Sequence, residues 1–204
     1  MSEQHYFSAV PAAPAQERTH RFTIRGVEHT VTTASGVFSS DRLDKGTQVL
    51  LGHVPDPPRT GTFLDLGCGW GPIALALADA APTATILATD VNERSLDLTR
   101  RNAAAAGRTV RAVEAAALLA ELRDSGARLD LIWSNPPMRI GKTALHELLE
   151  SWLPLLADNG EGWLVVHKNL GADSLTSWLA EGGWDVSRRA SSKGFPAGDR
   201  KSVV

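Results

Sequence analysis

Residues 135–138 have the composition of a site that binds and orients an amine. Asn135 is followed by Pro136 and Pro137, which fix the backbone and offer no amide donors, and then by Met138. The Asn135 side-chain carbonyl and the Pro136 main-chain carbonyl form two acceptors that can hold both hydrogens of a planar exocyclic amino group. Such a pair aims the nitrogen lone pair at an electrophile, so the turn would act mainly by positioning. The alternative is a rigid turn that only ends a strand.

A second candidate site is a glycine-rich turn earlier in the chain. The segment FLDLGCGWGPIALAL, at 63–77, carries glycines at alternate positions, and Pro72 opens the helix that follows. These glycines let the backbone approach a ligand, whose polar groups can bind the free amides of the helix start. The next β-type run ends at Asp90, which can accept hydrogen bonds from both hydroxyls of a ribose. Together these features predict a nucleoside-binding crevice; without a ligand, the alternative is a tight strand-to-helix turn.

The acidic residue before the glycines indicates the kind of ligand. Asp65 stands two residues before the first glycine, where it would repel a phosphate but favour an ammonium or sulfonium cation. A dinucleotide-binding turn would have its third glycine one place later, where this chain has Pro72. The pattern therefore favours a nucleoside ligand without a pyrophosphate.

Both sites need a fold that brings strand ends together. Apolar periodicity predicts strands at 62–66, 85–89, 109–113, 129–134 and 161–167, alternating with helices at 73–80, 93–106, 114–123 and 143–157. A helix at 172–181 and a strand at 184–189 continue the pattern. This alternation predicts an α/β fold with a doubly wound, seven-stranded, mostly parallel Rossmann-like sheet.

The first part of the chain precedes that alternation. Residues 1–19 are predicted to form a tail or strap. Residues 20–58 begin with a β-rich stretch, 20–33, broken at Arg25 and Gly26, which predicts a short hairpin. Residues 59–204 form the predicted main domain, and the whole chain is expected to be one structural unit.

Composition limits the class of protein. The chain has 204 residues, of which 43% are hydrophobic and 22% charged, as expected for one globular domain. Its net charge of −2 means that any nucleic-acid contact must use a local basic face. Cys68 is the single cysteine, and the six histidines show no ligand spacing, so no metal is expected. The polar start and the short apolar runs predict a cytoplasmic protein.

On these residues the sequence resembles the S-adenosylmethionine-dependent methyltransferases. The turn at 65–71 is similar to their motif I, and the Asn-Pro-Pro turn resembles the Asn-Pro-Pro-aromatic amino-methyltransferases. Within that group the chain looks most like the small-subunit ribosomal RNA guanine-N2 methyltransferases. The shared segments are HYF at 5–7, GVFS at 36–39, LDKGT at 43–47, LDLGCGWG at 64–71, SNPPMRIGK at 134–142 and His146. GVFS followed by LDKGT is the most discriminating of these.

The resemblance implies S-adenosylmethionine as cofactor, a ribosomal RNA substrate, and a segment 20–58 that closes over the cofactor. It assigns cofactor contacts to Phe38, Ser39, Thr47, Asp65, Gly67, Cys68, Gly69, Gly71, Asp90, Val91, Glu114 and Asn135. It assigns catalysis to Asn135, Pro136, Pro137 and Met138. Arg139 and Lys142 are predicted to contact substrate phosphates, with a solvated helix start as the alternative.

Two positions depart from the family pattern. Met138 stands where an aromatic residue often stacks on the target base, a contact worth roughly 1–3 kcal/mol. The aromatic candidates that can replace it are Tyr6, Phe7, Phe38 and Phe195. Pro196 is a poor central-strand residue, so the last strand is expected to be short or bulged.

The sequence is also compatible with other functions. The same chemistry can act on adenine N6, on a protein glutamine or on a small-molecule amine. A non-catalytic module that keeps the nucleoside pocket is a second class. An NAD-linked oxidoreductase is a third, disfavoured by Pro72 and by the Asn-Pro-Pro turn.

Overall fold

The first element is a β-hairpin, in a computed structural model that describes residues 16–136, 141–166, 172–192 and 195–200. Strands β1 (Glu17–Ile24) and β2 (Val27–Ala34) pair antiparallel through a turn at Arg25 and Gly26. Both turn residues have positive φ, 45° and 86°, as tight two-residue hairpin turns require. The hairpin predicted within 20–33 is confirmed, and it is longer than the predicted segment.

Helix α1 (Lys45–His53) follows the hairpin, and the sequence pattern does not indicate it. Its N-cap is Asp44, whose carboxylate accepts hydrogen bonds from the backbone N–H groups of Gly46, at 2.7 Å, and Thr47, at 3.2 Å. Such a cap satisfies donors that have no partner within the helix. The helix stops two residues before Pro55, because the residue preceding a proline disfavours helical backbone.

The main body of the protein is an α/β sheet. Its parallel strands are β3 (Thr62–Leu66), β4 (Thr85–Asp90), β5 (Arg111–Glu114), β6 (Leu129–Ser134) and β7 (Leu156–Val165). Strands β8 (Ser187–Ser192) and β9 (Phe195–Arg200) join antiparallel, giving the order β5-β4-β3-β6-β7-β9-β8. The helices are α2 (Pro72–Ala80), α3 (Glu93–Ala105), α4 (Ala115–Ser125), α5 (Gly141–Trp152) and α6 (Ala172–Glu181). The predicted α/β class and parallel sheet are confirmed.

Two apolar cores lie on opposite faces of this sheet. Successive residues of β6 alternate between them: Leu131 and Trp133 belong to one core and Ile132 to the other. The first core is shared by the hairpin, α1, α2 and α3, and the second by α4, α5 and α6. Because strands of a doubly wound sheet are buried on both faces, they read as continuous apolar runs, which is why the alternation with helices is visible in the sequence.

The helix predicted at 143–157 is shorter than expected. Helix α5 ends at Trp152, a single 3-10 turn spans Leu153–Leu155, and β7 begins at Leu156. Pro154 explains the difference, since it has no N–H for the helix ladder and its ring clashes with the preceding turn. The apolar residues that continue the helical spacing therefore belong to the turn and to the start of a strand.

The final strand accommodates Pro196 at its end. The ladder between β7 and β9 runs from Ala197 to Asp199, so Pro196 is paired only with Ser191 of β8. The missing N–H is therefore placed outside the central ladder. The β8–β9 pair shifts register between Arg188 and Ala190, so the irregularity lies in β8 and not in the last strand, where a bulge was expected.

Strand order places the two predicted sites together. The chain passes from β3 outward to β4 and β5, then returns to β6 on the other side of β3. Ligands of open α/β sheets bind at such a reversal, beyond the carboxyl ends of the strands. The glycine turn follows β3 and Asn135 follows β6, so both lie at this point. Among the described residues, no helix is long and apolar enough to cross a membrane.

Candidate active site

A solvent-open cleft of about 330 Å³ lies at the carboxyl ends of β3 and β6. Three segments line it: the chain leading into α1, the glycine turn after β3 and the turn after β6. The lining residues are Phe38, Ser39, Asp44, Thr47, Gly67, Cys68, Gly69, Trp70, Pro72, Ile73 and Asn135. The structure therefore brings together predicted site residues from all three segments and adds Asp44 and Trp70.

The glycine turn has a backbone that only glycine adopts readily. Gly67 and Gly69 have φ values of 82° and 56°. A Cβ atom built on either residue would meet nothing within 4 Å, so each glycine leaves open space where a side chain would stand. Gly71, with φ of 94°, is the N-cap of α2, and Pro72 occupies the first helical position. The turn thus offers an unobstructed backbone surface to a ligand.

Asp65 lies beneath this turn and is fully buried. One carboxylate oxygen accepts a hydrogen bond from the backbone N–H of Ala74 at 2.9 Å, in the first turn of α2. The other oxygen, Oδ1, has no partner among the described residues. Burial raises the pKa of Asp65 to about 8, and the nearby Asp90 charge acts in the same direction. Asp65 does not line the cleft, and with this pKa it is mostly protonated at neutral pH, so the structure supports a role in fixing the start of α2 and not the predicted attraction of a cation.

Asp90 connects the glycine turn to the end of β4. Its oxygens accept hydrogen bonds from the backbone N–H groups of Gly69, at 3.0 Å, and Asn92, at 2.9 Å. Burial raises the pKa of Asp90 above its ordinary value. The Val91 backbone and the Ser95 side chain also hydrogen-bond to this carboxylate. A ribose hydroxyl would therefore have to share the Asp90 oxygens with these donors, and the ribose contact stays a prediction.

Two predicted cofactor residues lie farther along the strand ends. Val91 follows Asp90 and is 45% exposed. Glu114, opposite Asp90 in the β4–β5 register, uses both carboxylate oxygens to cap α4 at the N–H groups of Ala116 and Ala117. Val91 therefore presents apolar surface, whereas both carboxylate oxygens of Glu114 are bonded to the start of α4.

The segment before α1 covers one side of the cleft. Phe38 is 50% exposed at the cleft wall, and Ser39 has a φ of 54°. The Ser39 hydroxyl donates to the carbonyl of Arg42 at 2.7 Å, while the Ser39 carbonyl accepts from the Trp70 indole N–H at 3.3 Å. The covering segment is thereby attached to the glycine turn.

Asn135 is held from the opposite side by the start of α1. Its Nδ2 donates to Asp44 Oδ2 at 2.8 Å and to Thr47 Oγ1 at 3.0 Å. Pro136 follows and is buried. Lys142 is exposed in the first turn of α5. The predicted residues Pro137, Met138 and Arg139 lie outside the described residues, as do residues 1–15 with Tyr6 and Phe7.

Comparison with known proteins identifies the family. Residues 28–195 match the methyltransferase small domain family. The chain belongs to this family. It is 37% identical over 195 residues to "Uncharacterized protein YbxB" of Bacillus subtilis, covering 96% of each chain. It is 35% identical over 124 residues to ribosomal RNA small subunit methyltransferase C of Shewanella sp. strain MR-4, covering 61% of this chain and 34% of that protein. It is 33% identical to ribosomal RNA large subunit methyltransferase G of Streptomyces coelicolor, covering 85% of this chain and 44% of that protein.

The fold is also that of a solved methyltransferase. The Thermus thermophilus 16S rRNA N2 G1207 methyltransferase, in complex with S-adenosylmethionine and guanosine, superposes with a TM-score of 0.78 at 23% identity. The match covers 94% of this chain and 52% of that one. The chain spans about a third to a half of the length of these named methyltransferases.

As a member of this family the chain is an S-adenosylmethionine-dependent methyltransferase. The cofactor supplies an electrophilic methyl group on a sulfonium. The open space at Gly67 and Gly69 and the anionic Asp90 fit a nucleoside that carries an amino acid and no phosphate. In the described part of the chain, no group of three or more His, Cys, Asp or Glu side chains is suited to a metal ion.

Two residues of the site were missed by reasoning from the sequence. The sequence gives no site role to Trp70, and in the structure it is a buried wall of the cleft whose indole N–H donates to the Ser39 carbonyl. Asp44 belongs to the LDKGT segment, but no role was assigned to it. Aspartate is a favoured N-cap residue, but the glycine and threonine that follow Asp44 are poor helix formers, so the residue alone does not indicate a helix start.

Proposed function

We propose that the chain transfers the methyl group of S-adenosylmethionine to the exocyclic amine of a nucleobase, namely guanine N2 in ribosomal RNA. The proposal also places the protein in the cytoplasm, together with its ribosomal RNA substrate. A target base in folded RNA must be turned out of its stack to reach the cleft.

The observation that supports the proposal most directly is the pattern of hydrogen bonds made by the Asn135 side-chain amide. Both donors of its Nδ2 are used by Asp44 and Thr47, while Oδ1 accepts no hydrogen bond from any described residue. Asn135 lines the cleft and is partly exposed, so Oδ1 is accessible to a ligand. With the Pro136 carbonyl it supplies the two acceptors that a planar amine needs. This arrangement orients the nitrogen lone pair and requires no strong base.

The choice of RNA rests on the relatives and on local charge. The named relatives methylate small- or large-subunit ribosomal RNA, and the superposed structure contains guanosine. Lys45 and Lys142 begin the two helices nearest Asn135, and both are exposed. Neither has an ion-pair partner within the described ranges, whereas seven arginines of those ranges do. These cations supply a local basic face on a protein with a net charge of −2.

The test is methyl transfer from labelled S-adenosylmethionine to unmodified small-subunit RNA, large-subunit RNA, DNA and protein fractions. We expect label in ribosomal RNA, recovered as N2-methylguanosine after digestion. Recovery as N6-methyladenosine, or label in protein, would refute the guanine assignment. Cofactor binding without transfer to any fraction would favour a non-catalytic binding module.

The role of Asn135 is tested by Asn135→Ala. We expect turnover to fall about 100-fold or more, because the positioning of the amine is lost, while the Kd for S-adenosylmethionine stays within about twofold. Asn159→Ala is the matched control, since Asn159 is exposed on β7 away from the cleft lining. Equal turnover in Asn135→Ala and the control would remove Asn135 from the mechanism.

A further inference from the structure

The start of α1 makes three contacts through one oxygen atom. Asp44 Oδ2 accepts hydrogen bonds from Gly46 N at 2.7 Å, from Thr47 N at 3.2 Å and from Asn135 Nδ2 at 2.8 Å. The same carboxylate therefore caps the helix and holds the side chain of a residue 91 positions later in the chain.

These contacts fix the orientation of the Asn135 amide. One Nδ2 hydrogen points at Asp44 Oδ2 and the other at Thr47 Oγ1, at 3.0 Å. Rotation of the amide by half a turn would place Oδ1 against the Asp44 carboxylate, where two acceptors would face each other without a hydrogen. Oδ1 is therefore kept as the exposed acceptor. Donation to a carboxylate also polarises the amide and strengthens Oδ1 as an acceptor.

Gly46 makes the close approach possible. A Cβ atom at this position would lie 2.8 Å from Asn135 Oδ1 and 2.9 Å from Asp44 Oδ2, closer than real Cβ atoms come. The backbone of Gly46 is not left-handed, so its own conformation does not require glycine. Glycine is needed at this position because a side chain would clash with the Asn135 amide and the Asp44 carboxylate.

We propose that Asp44 is a positioning residue that presents Asn135 Oδ1 to the target amine, and that Gly46 provides the space in which this amide sits. The inference rests on the proposed role of Asn135 in binding the amine. It extends the site to the N-terminal segment of the chain, whose expected task was only to cover the cofactor.

The first experiment compares two glycine substitutions in one helix. Gly46→Ala places a methyl group against Asn135 Oδ1, whereas a Cβ at Gly52 meets nothing within 4 Å. Alanine is a better helix former than glycine, so Gly52→Ala is expected to unfold at a higher temperature, whereas in Gly46→Ala the contacts with Asn135 and Asp44 offset this gain. We expect kcat to fall about 10- to 100-fold in Gly46→Ala alone, with the Kd for S-adenosylmethionine unchanged. Equal kcat in the two variants, or an equal loss of cofactor affinity and kcat in Gly46→Ala, would overturn the proposal.

The second experiment separates the helix cap from the contact with Asn135. Asp44→Ser keeps a good N-cap but its shorter side chain does not reach Asn135, so the melting temperature is expected to hold while kcat falls about tenfold or more. Asp44→Asn keeps an oxygen at the position of Oδ2 and is expected to recover most of the kcat that serine loses. A serine variant with full kcat, or an asparagine variant as slow as serine, would contradict the assignment.

A measurement independent of activity uses the Asn135 side-chain amide signals in a ¹H–¹⁵N spectrum, assigned by their loss in Asn135→Ala. We expect both hydrogens to be shifted downfield and slow to exchange, and to move in Asp44→Ser and Gly46→Ala but not in Gly52→Ala. If the chemical shifts of the Asn135 amide hydrogens do not change in Asp44→Ser, the positioning role is refuted. If the protein transfers no methyl group to RNA, the proposed function fails, while this spectrum still decides the role of Asp44.

Discussion

The buried carboxyl of Asp65 makes folding stability depend on pH in a direction opposite to that of most acidic residues. Its side chain is fully buried and its pKa is raised to about 8, from an ordinary value of 3.8. Between these two pH values the folded chain holds a proton on Asp65 that the unfolded chain has released. Stability due to this group is therefore complete below about pH 4 and is lost as pH rises towards 8.

The size of the effect follows from the linkage relation. When the folded state holds one proton more than the unfolded state, the free energy of unfolding falls by about 1.4 kcal/mol for each unit by which the pH rises. From pH 5 to pH 7 the loss due to Asp65 is therefore up to about 3 kcal/mol. Asp90, whose pKa is also raised by burial, contributes with the same sign.

Asp65→Asn isolates the contribution of Asp65. Asparagine has the shape of the protonated carboxyl and its oxygen can still accept from Ala74 N, but it has no proton to release. We expect the difference in unfolding free energy between Asp65→Asn and wild type to change by up to about 3 kcal/mol in favour of the variant from pH 5 to pH 7. Contributions from groups that do not interact with Asp65 are the same in both proteins and cancel in this difference.

The assay is urea unfolding, followed by tryptophan fluorescence, at half-unit steps of pH and without cofactor. Each pH gives a free energy of unfolding by linear extrapolation. Parallel curves for the two proteins would refute the reasoning, since they would mean that Asp65 is equally protonated in the folded and unfolded chain.

Two further substitutions test the parts of the structure that support the cleft. Asn102, which is 2% exposed, bonds to Thr32 N, Thr32 O and Trp70 O, so Asn102→Ala is expected to lower the free energy of unfolding by about 2–4 kcal/mol in urea titrations. A loss below about 1 kcal/mol, no larger than that of Asn159→Ala, would argue against these bonds. Gly69→Ala projects a methyl group into the cleft and is expected to weaken S-adenosylmethionine binding at least tenfold by calorimetry. Gly126→Ala, at φ of 69° in the C-cap of α4, imposes similar backbone strain away from the cleft and should leave the Kd unchanged.

The sequence predicts those parts of the molecule in which local pattern and burial agree. The strands β3, β4 and β6 are read correctly because they are buried on both faces and end in turn residues. The glycine turn and Asn135 were found because their residue types are rare in combination and follow strands directly. Pro154 shows the limit of periodicity, since apolar spacing continued past the residue that ends α5.

Helix α1 and its contacts could not be read in the same way. Its sequence, KGTQVLLGH, contains two glycines, a threonine and a valine, all poor helix formers. The helix is stabilised by the Asp44 cap and by burial of Val49, Leu50 and Leu51. The contact between Asp44 and Asn135 joins residues 91 positions apart, and only the strand order brings them together.

The wide sequence separation of these contacts affects how the protein matures during synthesis. Thr32 can bond to Asn102 only after 70 more residues have been synthesised, and Asp44 can bond to Asn135 only after 91 more. A chain still emerging from the ribosome therefore has a hairpin without its docking surface and a cleft without one wall. A ligand stabilises only the states that bind it. Because β3 lies between β4 and β6, we expect S-adenosylmethionine to stabilise only chains in which both of these strands have joined the sheet beside the glycine turn.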